Sequence, residues 1–600
     1  MLKKSLISLI GIFGLLLTIV SCGSDHKTTQ PVDTTPAPAS IVYVSATGSD
    51  TNAGTVAAPF LTIQKGIDVV NVAPLPAEVR VAAGVYNVTD AIVMSVDGVS
   101  LKGGYTADFS GRGFLTADER LNDTYKTLVT YTGTFDGTFN PPTDANPSRA
   151  ITVSGASVTL ATVIEGLTVN SANSNTASSI VISDGAAVTI RYNTMNSAGT
   201  AVSAGVFSIA SSPTIEYNAV FAGTSYYSLG LADLGGSPMI AHNDITGGSG
   251  SYSFPIAMMS SVNATVSNNS VHGAVGTTTA GGIYFQGASG AIINNTVDGG
   301  TSDNDSDGIG ATDSTSVLIS GNTVNGGVAQ NIANGLYISG TAAVIVDNDI
   351  EAAQGVNGAS GVKISDSAST TVSFNTIRGG DISSDGGGDA MSISGALSSS
   401  TIVYSNVIIG GSVVGPTANA SNIMINNSSP SIYNNTLIGG ISTWYTTGIS
   451  MFGDLAGPSA PKIDNNIIYI TNGACIAEWS TDTTPVEVKN NDLYGAGGSV
   501  ALYIDAATGP IFDIASVEAL TDMTVLGNIS SPPDFVDVDN ADYHLAFYAA
   551  NINVRGGGLD LSSEVSVSYD RDGAVRTTNT PVGMTNDGAA GWSMGAYEKD

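Results

Sequence analysis

Charge is scarce in this chain, and positive charge scarcer still: 12% of residues are charged, 19 basic against 51 acidic. The resulting net charge of −32 repels phosphate backbones, so nucleic acid is not an expected partner. Cysteine is nearly absent. Of the two present, Cys22 and Cys475, the second stands alone in an apolar stretch and reads as a buried small hydrophobe. No internal disulfide framework is therefore expected. Long Glu-, Lys-, Ala- and Leu-rich runs with 3.6-residue periodicity are missing too, which argues against a helical solenoid. What is plentiful is glycine, 72 of 600 residues, with abundant Asn, Ser and Thr. Apolar residues make up 42%, too many for a disordered chain, so a core is buried somewhere.

The amino terminus carries targeting information. Lys3 and Lys4 precede an apolar run from Ser5 to Val20, which is short for a membrane span. The run ends in Ile19-Val20-Ser21-Cys22, which resembles the lipobox of bacterial lipoproteins. That resemblance implies cleavage before Cys22, a lipid on its thiol and attachment to a membrane. Gly23-Ser24 lack the Asp that retains many such proteins at the inner membrane, so an outer-membrane, cell-envelope location is expected. Residues 23–40, rich in Thr, Pro and Ser, read as a flexible tether.

One repeat dominates the rest. Segments such as IRYNTM, IINNTV, VSFNTI and VKNNDL place a β-branched residue three before an Asn and an aliphatic residue two after it. The Asn residues are Asn193, Asn218, Asn243, Asn269, Asn295, Asn322, Asn348, Asn375, Asn406, Asn435, Asn466 and Asn491, spaced by 25 to 31. Between them lies a second motif, a Gly followed by alternating apolar residues, as in Gly205-Val-Phe-Ser-Ile and Gly335-Leu-Tyr-Ile. Each repeat thus holds at least two short strands of period two. Such a unit cannot bury its inward side chains alone. Stacking successive units at about 4.8 Å pairs their backbones and joins their cores into one column. The Asn residues then form a hydrogen-bonded ladder at one bend, amide to amide, with Gly166 in the same slot one coil earlier.

Inward aliphatics with an Asn ladder resemble the right-handed parallel β-helix superfamily typified by pectate lyases. The opening stretch Tyr43-VSATGSDTNAGT, with Pro59-FLTIQKGI and GVSLKGGYTADF, resembles the region that begins many uncharacterised bacterial β-helix proteins. The closing stretch Asp534-FVDVDNADYHL, DRDGAVR and WSMGAYE resembles a segment that ends similar secreted proteins. The implied fold is all-β, a right-handed parallel β-helix with an amino-terminal cap and a carboxy-terminal capping segment. The expected divisions are a signal peptide at 1–22, the tether at 23–40, a cap and first coils at 41–149, the laddered helix at 150–515 and the closing segment at 516–600. Open ends would expose strand edges and the apolar column. The run Thr62-IQKGIDVV reads as an amphipathic helix plugging the first coil.

The superfamily contains lyases, hydrolases, epimerases, adhesins and non-enzymes, so fold does not name a function. Between residues 150 and 515 the basic side chains are Arg191, Lys363, Arg378, Lys462 and Lys489, beside His242 and His272, a thin supply for gripping polyuronates. No catalytic carboxylate cluster stands out. Arg191 over Glu216, Lys462 over Glu487 and Asp464 over Lys489 read as stabilising pairs one coil apart. Tyr404 and Tyr433, each two before a ladder Asn, are expected to face outward as a pair of rings beside loops that include Trp444. Aligned rings offer apolar faces to sugars. Tyr284 and Tyr337, with Gly310 between them, make a similar column. Asp303, Asp305 and Asp307, with Gly308 following, match the start of a Ca²⁺ loop, making Ca²⁺ a candidate cofactor. The expected function is binding of a glycan or a surface partner. A polysaccharide lyase or hydrolase and a structural surface-layer component are the alternatives.

Overall fold

The computed structural model describes residues 40–113, 122, 124–133, 148–172, 175–383, 386–415, 419–454, 457–546, 554–555, 557–565, 569–576 and 592–597. Cys22 and the tether through residue 39 lie outside these residues. The described chain is a parallel β-solenoid of about fourteen turns. Between the two ends, each coil gives one strand to each of three sheets. In the coil of Asn193 these are Thr189–Arg191 on the first sheet, Thr194–Ala198 on the second and Val202–Ile209 on the third. Each strand pairs in parallel with its counterpart in the next coil, as Val202–Ile209 does with Tyr227–Leu234. From Gly300 onward several coils add a two- or three-residue strand, such as Gly300–Ser302 and Val328–Ala329, ahead of the third-sheet strand.

The repeat positions explain the core. The β-branched residue three before each ladder Asn points inward from the first sheet: Ile190, Ile215, Ile240 and Val266 are each at most 2% exposed. The aliphatic residue two after the Asn does so from the second sheet, as with Val220 and Ile245, and the third sheet contributes Val206, Leu231 and Ile256. These side chains form one apolar column along the axis. A glycine in the middle of the third-sheet strand also faces inward. A Cβ on Gly205 would stand 2.5 Å from a Val220 methyl, which is why a glycine recurs there.

The ladder geometry is uniform. Asn295 accepts, through Oδ1, the backbone N–H of Asn269 at 2.9 Å and its side-chain amide at 3.0 Å. It donates in turn to the Val266 carbonyl at 2.9 Å and to Asn322 Oδ1 at 3.0 Å. The same pattern continues past Asn491 to Asn528, so the helix extends one rung beyond the expected boundary at 515. At the other end the register shifts by one from expectation. Leu167 donates its N–H to Asn193 Oδ1 and so takes the ladder slot, while Gly166, at φ 75°, occupies the left-handed position before it. That position is left-handed throughout: Tyr192, Tyr217, His242, Asn268 and Asn294 all have φ near 55°. The left-handed twist belongs to the residue before each ladder Asn, not to the ladder Asn itself.

The first coil is closed by α1, Ile63–Val70, capped by Thr62. Its buried face of Ile63, Ile67 and Val70 sits on the column, and Gly66 lets it approach Val44 and Val79 closely.

After the last coil the chain runs back along the helix as a strap. Its described residues, 554–555, 557–565, 569–576 and 592–597, lie over the corner where the first and second sheets meet. Asn434 donates to the Ser593 carbonyl at 3.0 Å, Asn465 exchanges two bonds with Leu559, and Asn490 donates to the Gly557 carbonyl at 2.8 Å. Each of these Asn residues stands immediately before a ladder Asn, at the left-handed position, which aims its side chain outward.

Candidate functional site

The strap decides the fate of the expected ring pair. Tyr404 and Tyr433 do lie in register on adjacent first-sheet strands, pointing away from the column. They are nevertheless 7% and 1% exposed, covered by Leu561, Val565 and Trp592 of the strap. The expected open platform is corrected to an internal interface, because apolar side chains supplied some 160 residues later bury it. Burial raises the pKa of both phenols.

The expected Ca²⁺ loop is corrected as well. Asp305 and Asp307 belong to a strand, Asp305–Thr312, and Asp303 precedes it on the surface. Their carboxylates have separate protein partners. Asp305 accepts from the Asn331 side chain at 2.8 Å, and Asp307 from the Asn334 side chain at 2.8 Å. Among the described residues no three His, Cys, Asp or Glu side chains converge as metal ligands.

Asp307 instead opens a polar seam on the outer face of the third sheet. Register carries Asp307 to Asn334, Ser360 and Asp389 on successive coils; hydrogen bonds link Asp389 to Ser421 on the next, which is in register with Thr447. Ser421 donates to Asp389 through both hydroxyl and N–H, Thr447 reaches Ser421 at 3.0 Å, and Ser450 joins Thr447 to the Trp479 indole. Burial drives both Asp307 and Asp389 up to about 7, against the hydrogen bonds they accept and the nearby Lys363. Two carboxyls that hold protons close to neutrality, on an outer face, are candidates for function. Lys363 forms no ion pair among the described residues; its ammonium lies 5.7 Å from the centre of the Tyr337 ring.

Aromatic rings flank this seam on the same face. Toward the amino-terminal side Tyr227 stacks on Tyr252 at 5.3 Å and Phe254 on Tyr284 at 4.8 Å. Tyr284 lies flat across Gly310, where a Cβ would come within 2.8 Å of the ring. Toward the carboxy-terminal side Trp479 meets Tyr445 at 5.9 Å and Phe452 at 6.4 Å. Trp444, at 54% exposed, adjoins this second group through its neighbour Tyr445. Of the residues expected to bind ligand, Trp444 is therefore the one left open.

The sequence reading missed the seam, although a signal for it exists. Asp307, Asn334, Ser360 and Thr447 each stand immediately before the inward glycine of their strand, so aligning those glycines would have shown the column.

A separate groove of about 300 Å³ runs over the outer face of the second sheet, between His272 and Arg378. Its basic groups are already engaged, His272 with Asp244 at 2.9 Å and Arg378 with Asp349.

Comparison with known proteins gives a family model described as a right handed beta helix region over residues 178–377. A second model, a protein of unknown function (DUF1565), matches residues 46–225. A search of curated proteins finds no match. Among solved structures, the Dettilon tailspike protein aligns at 12% identity over 71% of this chain and 69% of its own, with a TM-score of 0.34. A lacto-N-biosidase from Eubacterium ramulus aligns at 11% over 70% and 65%, with a TM-score of 0.25. DFA-IIIase from Arthrobacter chlorophenolicus aligns at 13% over 70% and 94%, with a TM-score of 0.28. No residue correspondence is drawn from likenesses at this level. Coil geometry and the family model together identify the protein as a right-handed parallel β-helix.

Proposed function

We propose that the protein is an exported, lipid-anchored component of the cell envelope that binds carbohydrate on the outer face of its third sheet. The carrying observation is the arrangement of that face, with stacked rings on both sides of a hydrogen-bonding seam. Rings supply flat apolar surface to sugar faces, and the buried seam between them ties together the strands that present the rings. The lipobox-like Cys22 supports attachment to a membrane, and the acidity of the chain disfavours nucleic acid. A glycan array probed with the wild type and with Tyr284→Ala and Trp479→Ala tests the reading. Binding that both substitutions weaken supports it, and array binding indifferent to both rejects this face.

A second reading, a polysaccharide-cleaving enzyme, is favoured by one observation. Asp307 and Asp389 retain protons to about 7, as a group that protonates a leaving oxygen must. Release of reducing ends from a polysaccharide panel, abolished by Asp307→Asn or Asp389→Asn with binding retained, would establish it.

A further inference from the structure

We infer that the apolar loop at residues 72–76, on the amino-terminal rim of the helix, docks into the lipid surface that holds Cys22, so that the coils stand away from the membrane. The inference rests on the lipid-anchored reading above. The loop joins α1 to the strand Ala77–Ala82 and reads Val-Ala-Pro-Leu-Pro, without one polar side chain. Water nonetheless reaches it. Val72 is 88% exposed and Leu75 47%, and Pro74 and Pro76 are exposed beside them. Leu61, exposed just before α1, widens the apolar rim. The loop is also held in shape. Ala73 donates its N–H to the Val70 carbonyl at 3.1 Å, Ala77 donates to the Gly98 carbonyl at 3.1 Å, and two prolines fix their own φ. An ordered apolar projection gives up little conformational freedom on entering lipid.

Position in the fold names the occupant. Ser40, where the tether joins the fold, pairs with Ala77, the residue that follows the loop. The tether therefore meets the helix one strand spacing, about 4.8 Å, from the loop's end. Residues 23–39 separate Cys22 from Ser40, and fully extended they reach about 60 Å. The 17-stranded first sheet, which begins with Ser40–Val44, runs roughly 75 Å from its first strand to its last. A lipid at Cys22 thus keeps the loop end nearest the membrane, and a tethered contact needs little affinity of its own. Charge agrees. Beside the loop α1 carries one acid, Asp68, and one base, Lys65. Asp50 is turned onto the start of α1, where it accepts the N–H groups of Leu61 and Thr62 at 2.9 and 2.8 Å. Glu78, just past the loop, is paired with Arg80 and Lys102. The rim is close to neutral in a chain of net charge −32, which suits it to meet lipid by apolar contact.

The test uses the full mature protein reconstituted into vesicles of phosphatidylethanolamine and phosphatidylcholine. Val72→Cys carries a thiol-linked fluorophore, and Cys475 does not compete for the label because it is buried. Ala507→Cys, on the exposed turn of the hairpin that ends the third sheet, carries the same fluorophore in a second sample. Nitroxide-labelled lipid should quench most of the emission from position 72 and little of that from position 507. Adding Leu75→Asp should restore most of the emission at position 72 while the protein still floats with the vesicles. Floating protein with both probes bright overturns the inference, leaves the anchor standing and gives the loop to a protein partner. Equal quenching at both positions, as in a molecule lying flat, overturns it too. Protein that does not float with the vesicles overturns the anchor and the inference together. The comparison of the two probes alters exposed positions alone, so misfolding of the Leu75→Asp variant does not blunt it.

Discussion

Asn334 donates its side-chain amide to Oδ1 of Asp307 across 2.8 Å, from one coil to the next, while its own Oδ1 is buried without a protein partner. The bond helps hold an acid in a place where its charged form is costly. Burial pushes Asp307 and Asp389 up to about 7, and Asp492, beneath the segment that follows the last coil, up to about 8. An acid whose folded pKa lies above its unfolded value binds more proton when folded. Stability is therefore greatest at mildly acidic pH, falls as pH rises from about 4, and levels off above about 8. Melting temperature should decline from pH 5 to pH 8. Asp307→Asn and Asp389→Asn should each flatten that decline, with a gain on the order of 1–3 kcal/mol at pH 8. A wild-type melting curve that does not move across this range would contradict the buried placement of both carboxyls.

The ladder makes a sharper demand. Asn295 engages Asn269, Asn322, the Val266 carbonyl and the Ile293 carbonyl at once. Asn295→Leu should cost at least roughly 1–3 kcal/mol, because neighbouring buried polar groups lose partners that leucine cannot replace. Chemical denaturation reads this directly, and a loss below about 0.5 kcal/mol, the level of a surface change, would mean the ladder is not energetically coupled.

Trp592 is the keystone of the strap. It is 2% exposed, packs in the cluster with Tyr404 and Tyr433, and has the Arg576 guanidinium 5.7 Å from its ring. Trp592→Ala should destabilise strap docking by about 3–5 kcal/mol, the cost of emptying a large buried site. Hydrogen exchange should then rise in residues 557–565 and 569–576 while the amides of the Asn193 coil stay protected. Uniform loss of protection along the helix would show instead that strap and coils melt together.

Membrane attachment is tested at Cys22. The wild type should partition with membranes, and Cys22→Ala should appear unprocessed or released. Equal fractionation of the two proteins would rule out a lipid at that thiol.

Much of the fold was legible because period-two strands and a recurrent Asn repeat every coil, and each coil contacts mainly its neighbours. Ile190, Met195 and Asn193 can be placed from one coil's sequence alone. The exposure of Tyr404 and Tyr433 could not be, since it depends on Leu561, Val565 and Trp592, far along the chain. A trace of the cover is still visible. Outward positions of the second sheet are polar at Thr296, Asp298, Thr323, Asn325, Asp349 and Glu351, then turn apolar at Val407, Ile409, Ile438 and Tyr469, beneath the closing segment. The Ca²⁺ expectation failed for a different reason: a loop motif was read where strand pairing claims the backbone, which sends Asp305 and Asp307 to separate neighbours.

The strap also sets an order of events during synthesis. Coils can stack as soon as their residues emerge, one upon the last, because their contacts are local. The rings of Tyr404 and Tyr433, with Val407 and Ile438, stay wet until Trp592 and Tyr597 arrive. Nearly the whole chain must therefore be delivered before its carboxy-terminal third stops presenting an oily flank. A chain cut short by a few dozen residues would keep its helix and display that flank, giving a chaperone or protease a way to tell an unfinished molecule from a finished one.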